Sequence, residues 1–177
     1  MSITPETRLH VRRRAGFACE YCGVTESDTG GELTVDHYHP QSLGGANTPD
    51  NLLYCCQRCN QYKADYWPAT ADGPSLWNPR QEPRTTHMLA LADGTVYPLT
   101  PAGAFTIRRL RFNRPPLIAY RLQQQTRAEE RRLLAELREM VALLEHLQQR
   151  HAALLDDQRA LLEEQRMLLT LLLRRDT

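Results

Sequence analysis

The sequence predicts an α+β protein with a small N-terminal domain, a middle segment that holds a β-hairpin and a short helix, and a long C-terminal helix. Three observations support this prediction. Two Cys-x-x-Cys pairs enclose a segment that alternates like a short strand. Asp93-Gly94, a hairpin turn signal, lies between two apolar stretches. No Gly or Pro follows Pro116, so the last third of the chain can continue as one helix.

The N-terminal domain is expected to begin with a short helix over residues 5–15. Its start carries an N-cap, a first-turn proline and an acid that favours the helix dipole, found at Thr4, Pro5 and Glu6. Residues 32–37 alternate like a strand, and a second strand is expected near residues 51–54. A helix should then begin near Cys59 or Asn60. The predicted order of the domain is therefore helix, strand, loop, strand and helix.

The middle segment is expected to begin with an irregular strap. Four prolines interrupt it: Pro68, Pro74, Pro79 and Pro83. Residues 86–99 then predict the hairpin. Thr100 and Pro101 are typical of a helix start, and the stretch from Asn113 to Pro116 should end that short, arginine-containing helix.

The cysteines predict a zinc site. In a reducing compartment, Cys19-x-x-Cys22 and Cys56-x-x-Cys59 are two knuckles that can supply four thiolates to a tetrahedral, structural zinc ion. Cys55 could replace Cys56 as a ligand, but the i to i+3 geometry favours Cys56 and leaves Cys55 as a small buried side chain. The alternative that the pairs are redox dithiols is weaker.

The net charge and the distribution of apolar residues limit the classes of function that the protein can have. The net charge is only +1, so the total charge gives no argument for nucleic-acid binding. The N-terminus lacks the apolar core of a signal peptide, and no apolar run reaches transmembrane length. We therefore expect a cytoplasmic protein that does not enter a membrane.

A second group of motif residues lies between the cysteine pairs and just beyond the second pair. It consists of Asp36-His37-Tyr38-His39, Gly44-Gly45, Asn51-Leu52 and Cys59-Asn60-x-x-Lys63. This pattern resembles the HNH endonucleases of the standalone bacterial type, with Asn60 in place of the final His of the signature. The resemblance covers about residues 5–65 and continues less diagnostically towards residue 121. It implies a zinc-stapled ββα-metal nuclease domain that hydrolyses DNA phosphodiester bonds and leaves 5′-phosphate and 3′-hydroxyl ends.

The resemblance also implies roles for individual residues. His37 would be the general base that activates water, a role that suits an imidazole. Asp36 and Asn60 would hold one catalytic Mg²⁺ or Mn²⁺ ion through hard oxygen ligands. Asn51 would be structural, with its amide fixing the loop that carries His37. His39 would bind the scissile phosphate or supplement the metal shell, unless it is only a polar loop residue.

Candidate DNA contacts lie outside this centre. Lys63 is either a phosphate contact or a solvated helix side chain. Basic residues also cluster in the middle segment, at Arg108, Arg109, Arg111 and Arg114. Together with His87, this cluster forms either a DNA-binding face or an ordinary solvated surface.

The C-terminal tail predicts a coiled-coil-like helix. Apolar residues recur at alternating steps of four and three: Leu133, Leu137, Met140, Leu144, Leu147, Leu154, Leu161, Leu168 and Leu172. Three polar residues occupy intervening seam positions, His151, Gln158 and Gln165, and further leucines widen the apolar face. The helix could form a homodimer, join a larger bundle or dock onto a protein partner.

The sequence thus predicts three segments: residues 1–66 as the nuclease core, 67–115 as the strap, hairpin and short basic helix, and 116–177 as the helix for oligomerisation or docking. Two other functions stay open. One is a non-catalytic zinc module that binds nucleic acid or protein, and the other is a nuclease subunit of a defence or mobile-element complex.

Overall fold

A computed structural model describes residues 3–70 and 72–173, with side chains through residue 170. The chain divides into two compact units, Met1–Gln125 and Thr126–Thr177. The first unit contains the predicted segments 1–66 and 67–115. Residues 1–2, 71 and 174–177 of the predicted segments lie outside the described residues.

Helix α1 (Pro5–Arg14) opens the first unit as the sequence predicts. The hydroxyl of Thr4 accepts a hydrogen bond from the backbone N–H of Thr7, so the N-cap is formed. Val11 on this helix is fully buried with Leu52 and Tyr54 in a small apolar cluster. This cluster holds α1 against the central hairpin.

The centre of the unit is a ββα arrangement. Strand β1 (Thr34–His37) pairs antiparallel with β2 (Leu52–Cys55), and helix α3 (Gln57–Lys63) follows; a short helix α2 (Glu26–Thr29) precedes them. β1 begins later than expected, because Thr34 is the first residue paired with β2. α3 begins earlier than expected, because Cys56 takes the extended N-cap conformation and the second knuckle forms the first helical turn.

The middle segment follows the predicted order. No helix or strand interrupts the described residues 64–70 and 72–83. A one-turn helix α4 (Arg84–His87), which the sequence did not predict, leads into the antiparallel hairpin of β3 (Met88–Ala90) and β4 (Val96–Pro98). Helix α5 (Pro101–Arg109) begins where Thr100 caps the backbone N–H of Gly103.

One apolar core joins the strap and hairpin to the cysteine region. Its buried members include Leu76, Trp77, Met88, Val96, Leu110, Phe112 and Leu117 together with the cysteines. The backbone N–H of Trp77 donates to the hydroxyl of Thr106 at 2.7 Å. The irregular strap is therefore a fixed structural element.

His87 belongs to this interior. Its side chain is buried, with Nδ1 2.7 Å from the hydroxyl of Thr100 and Nε2 bound to the carboxylate of Glu82. Its carbonyl oxygen lies 2.1 Å from the place where a Cβ on Gly103 would stand. The placement does not support a DNA-binding face at His87, because its ring already has two partners inside the fold.

Helix α6 (Pro115–Leu173) is the long predicted helix. Its first turns belong to the first unit, where Arg121 is buried and donates to the carbonyl oxygens of Gly94 and Phe112. Burial lowers the pKa of Arg121 to about 10. The predicted seam leucines from Leu133 to Leu168 are exposed, while the side chain of Leu172 lies outside the described residues. Among the described residues, none of the helices combines the length and the hydropathy that a membrane span requires.

Candidate active site and metal centres

The two cysteine knuckles converge on one point. The Sγ atoms of Cys19, Cys22, Cys56 and Cys59 all lie within 4.8 Å of one another, and all four side chains are buried. The Sγ atoms of Cys22 and Cys56 are 3.7 Å apart. Four sulfurs around zinc at about 2.3 Å would be about 3.8 Å from one another along a tetrahedral edge. The cluster therefore fits a structural zinc ion, as the sequence predicts.

The electrostatics of the four thiols also favour a cation. Hydrogen bonds, the strongest with Cys19, lower the pKa of Cys56 and raise the pKa of Cys59. Four thiolates at this spacing repel one another, so all four ionise together only around a divalent cation. Cys55 is buried outside the cluster, and burial raises the pKa of its thiol. This placement agrees with the prediction that Cys55 is a small buried side chain.

A buried carboxylate ties the first knuckle to the rest of the domain. Glu20 accepts from the backbone N–H of Tyr54 at 2.7 Å and forms ion pairs with Arg14 at 3.2 Å and Arg80 at 3.1 Å. The side chain of Glu20 is only 9% exposed. Sequence reasoning missed this role, because nothing local to the Cys-x-x-Cys pair distinguishes Glu20 from a solvated acid.

Helix α3 packs on β1 and places Lys63 and Asn60 against three residues of that strand, Thr34, Asp36 and His37. Lys63 Nζ lies 3.0 Å from Asp36 Oδ2 and donates to the carbonyl oxygen of His37 at 2.5 Å. One turn earlier, Asn60 Nδ2 donates to Thr34 Oγ1 at 3.4 Å, which leaves the amide oxygen of Asn60 for another partner. A carboxylate and an amide oxygen are ligands that suit Mg²⁺ or Mn²⁺, so the chemistry of this donor set fits such an ion.

The imidazole of His37 has a partner that the sequence did not reveal. Its Nε2 atom is 2.6 Å from Asn47 Oδ1. With an amide oxygen as acceptor, Nε2 is the donor, and in the neutral imidazole the lone pair then lies on Nδ1. The contact therefore orients the ring and leaves Nδ1 as its basic nitrogen.

Asn51 links the two sides of the loop between the strands. Its Oδ1 accepts from the backbone N–H of His39 at 2.8 Å, and its Nδ2 donates to the carbonyl oxygens of His39 at 3.0 Å and Ala46 at 2.9 Å. Gly45 packs against the same His39 carbonyl group. A Cβ at residue 45 would stand 1.8 Å from the His39 carbonyl oxygen, so a larger residue does not fit there. These contacts support the predicted structural role of Asn51.

His39 is held by an aromatic contact. Its ring stacks on Trp67 with 4.0 Å between centroids, and Trp67 also meets Tyr38 edge-on at 5.8 Å. No described residue forms a hydrogen bond with the ring nitrogens of His39. Trp67, from the start of the strap, is thus a site residue that the motif did not include.

Lys63 is placed differently from either sequence interpretation. Its side chain is 1% exposed, and its ammonium contacts the carboxylate of Asp36 and the carbonyl oxygen of His37. Arg109 lies nearby, where it donates to the carbonyl oxygen of Lys63 at 3.1 Å and stacks over Tyr66 at 4.4 Å. This burial does not support a phosphate contact by Lys63, and Arg109 also has partners within the protein.

Two other predicted arginines remain at the surface. Arg108 and Arg111 are both exposed. The guanidinium carbon of Arg108 lies 5.6 Å from the ring centroid of Phe105, and that of Arg111 lies 4.9 Å from the ring centroid of Tyr62. Aromatic contacts of this kind hold a guanidinium without consuming its hydrogen-bond donors. Both side chains therefore stay available to an external anion.

Comparison with known families assigns part of the chain. Residues 19–65 match the family model described as HNH endonuclease. The matched stretch contains both cysteine knuckles, β1, β2 and α3. No curated protein was found to match the chain. The match points to a nuclease domain at the place where the metal-binding cysteines and the β1–α3 junction lie.

Proposed function

We propose that this HNH domain is the catalytic part of a metal-dependent DNA endonuclease. The observation that carries the proposal is the β1–α3 junction, where Lys63 contacts both Asp36 and the His37 backbone while Asn60 lies one turn away on the same helix. All four residues fall within the matched region. The junction thus brings together an acid, an amide and the residue that carries the imidazole, the groups that a hydrolytic metal site uses.

In the proposed reaction, His37 is the general base. Its Nδ1 takes a proton from a water molecule, whose oxygen attacks the phosphorus while the bond to the 3′ oxygen breaks. The departing 3′ oxygen takes a proton from solvent, so the products are a 5′-phosphate and a 3′-hydroxyl. Asn47 holds the imidazole in the tautomer that this step needs, because Nε2 already donates to its amide oxygen.

Asp36 and Asn60 are proposed to hold one Mg²⁺ or Mn²⁺ ion. When bound, such an ion neutralises negative charge on the phosphate and the departing oxygen. The side chain of Asp36 is 18% exposed, with its Oδ2 atom buried beside Lys63. Asn51 keeps the loop after β1 in place, and His39, fixed by Trp67, is proposed to contact the scissile phosphate.

We propose self-association through α6 as part of the same function. The seam residues Leu133, Met140, Leu147, Leu154, Leu161 and Leu168 are between 50 and 60% exposed. A second copy of the helix would remove this apolar stripe from water. A dimer would carry two catalytic sites, which could cut both strands of a duplex.

The test is cleavage of supercoiled plasmid DNA with Mg²⁺ or Mn²⁺ by zinc-loaded protein. The wild type should nick or linearise the plasmid, and His37→Ala should not. His10→Ala is the matched control, because His10 is exposed on α1 outside the matched region. Absence of cleavage by the zinc-loaded wild type would favour a non-catalytic zinc module or a nuclease that requires a partner subunit. Equal cleavage by His37→Ala would rule out the assigned base.

A further inference from the structure

Two adjoining grooves run beside α3 on the first unit. One, of about 440 Å³, is lined by Thr34 and by Cys56, Gln57 and Arg58 at the start of α3. The other, of about 490 Å³, is lined by Tyr62, Leu117 and Tyr120. Val24, Arg58 and Arg114 line both grooves, so the two form one continuous track. We refer to it as the arginine groove.

Two guanidiniums line this groove, those of Arg58 and Arg114, and a third, that of Arg111, lies beside it. Arg111 and Arg114 lie over the ring of Tyr62 at 4.9 and 5.5 Å. Arg58 is exposed, and its guanidinium donates to the side-chain oxygen of Gln61 at 3.4 Å. In the described part of the chain, none of these three arginines forms an ion pair with a carboxylate. Their positive charge is therefore available to an external anion.

Two acids, Asp28 and Glu32, also line the groove. Glu32 pairs with Arg12 at 2.9 Å. The carboxylate of Asp28 accepts from the Thr25 backbone N–H at 3.2 Å and lies 3.1 Å from the hydroxyl of Tyr120. Glu32 thus has a cationic partner, and Asp28 accepts hydrogen bonds from groups within the fold.

The groove is continuous with the candidate catalytic centre. Thr34 lines it and accepts the amide proton of Asn60 at 3.4 Å, and Arg58 precedes Asn60 by two residues on α3. An elongated track with repeated guanidiniums suits a polymer of phosphates better than a single phosphate. Guanidiniums bind phosphate oxygens through paired N–H donors. The orientation over Tyr62 leaves these donors free in Arg111. In Arg114, Nη1 donates to the carbonyl oxygens of Leu110 at 3.0 Å and Arg111 at 3.2 Å, so only its other nitrogens can contact a phosphate.

We propose that the arginine groove binds the phosphodiester backbone of the DNA strand that flanks the cleavage site, with Arg58, Arg111 and Arg114 as its phosphate contacts. This inference rests on the proposed nuclease function for its choice of ligand. It adds Arg58, which neither the sequence pattern nor the family match assigns, and it places the DNA path between α3 and the start of α6.

The experiment measures binding separately from cleavage. Fluorescence anisotropy with a fluorescein-labelled mixed-sequence DNA duplex is recorded at several salt concentrations, without Mg²⁺, Mn²⁺ or chelators, so that zinc is retained and hydrolysis is prevented. Arg58→Gln/Arg111→Gln is compared with the wild type. Arg131→Gln/Arg138→Gln is the matched control, because it removes the same charge from exposed positions of α6. Arg58→Lys/Arg111→Lys keeps the charge and should retain most of the binding.

The groove variant should bind more weakly, and the slope of log K against log salt should become shallower by about 2, close to one unit for each arginine–phosphate interaction that the substitutions remove. The control should keep the wild-type slope. An unchanged slope in the groove variant, or no salt-dependent DNA binding by the wild type, would overturn the proposal. If the wild type binds DNA through the groove but never cleaves it, the DNA-binding proposal holds and the nuclease proposal fails. If the wild type cleaves DNA but the groove variant keeps the wild-type slope, the nuclease proposal holds and the DNA-binding proposal fails.

Discussion

Replacing Lys63 with methionine tests whether its ammonium is an interior counterion or a surface group. In the structure the side chain is 1% exposed, and its ammonium contacts the carboxylate of Asp36 and the carbonyl oxygen of His37. Methionine keeps most of the volume and removes the charge. The substitution leaves Asp36 with an unpaired carboxylate and His37 with an unsatisfied carbonyl.

The magnitude follows from burial. Removing one partner of a buried ion pair costs about 3–5 kcal/mol. The side chain of Asp36 is 18% exposed and so less buried than that of Lys63, and we expect the lower end of this range. Lys63→Met should therefore lower the free energy of unfolding by about 3 kcal/mol. In a double-mutant cycle with Asp36→Asn, the two changes should be non-additive by about 1–3 kcal/mol.

The assay is urea denaturation of zinc-saturated protein, followed by the fluorescence of Trp67 and Trp77. Gln61→Met is the matched control, because Gln61 is exposed on the same helix and should change stability by less than about 0.5 kcal/mol. A Lys63→Met variant as stable as this control, but with weaker DNA binding, would refute the counterion role and favour the phosphate contact that the sequence first indicated.

Three further predictions concern zinc, backbone space and the seam. Metal analysis should find one zinc ion per wild-type chain and per Cys55→Ser chain but none in Cys59→Ser; retention by Cys59→Ser would contradict the four-cysteine site. Gly45→Ala should cost more than about 2 kcal/mol, because its Cβ would stand 1.8 Å from the His39 carbonyl oxygen, whereas Gly31→Ala has open space and should be neutral in the same urea assay. Leu154→Lys/Leu161→Lys should convert the self-associated protein to monomer in sedimentation equilibrium, and a wild type that is already monomeric would remove the seam proposal.

Much of the local structure could be predicted because its signals lie within a few residues of one another. Thr4 and Thr100 cap the helices that follow them, and the Asp93-Gly94 turn joins the strands of the second hairpin. These features depend on hydrogen bonds and torsion angles over one to four residues. The pairing of the cysteine knuckles was also predictable, because four thiolates can satisfy one tetrahedral ion.

The partners of the candidate site residues could not be predicted in the same way. Asn47 reaches the ring of His37 across a loop, and Trp67 from the strap stacks on His39. No periodicity or motif connects such pairs, because each contact depends on how the loop and the strap fold back over β1. The same applies to Lys63, which the sequence treats as one more basic residue at the end of a helix.

The sequence by itself determined the order of the elements, the four-cysteine cluster and the residues with the resemblance to a nuclease. Only the tertiary structure decided which charges are buried and which face solvent. It paired Glu20 with Arg80 and enclosed Lys63 against Asp36, while it left Arg58 exposed beside α3. The physical reason is that burial and ion pairing depend on the packing of distant segments, whereas helix caps, turns and metal knuckles depend on neighbours along the chain.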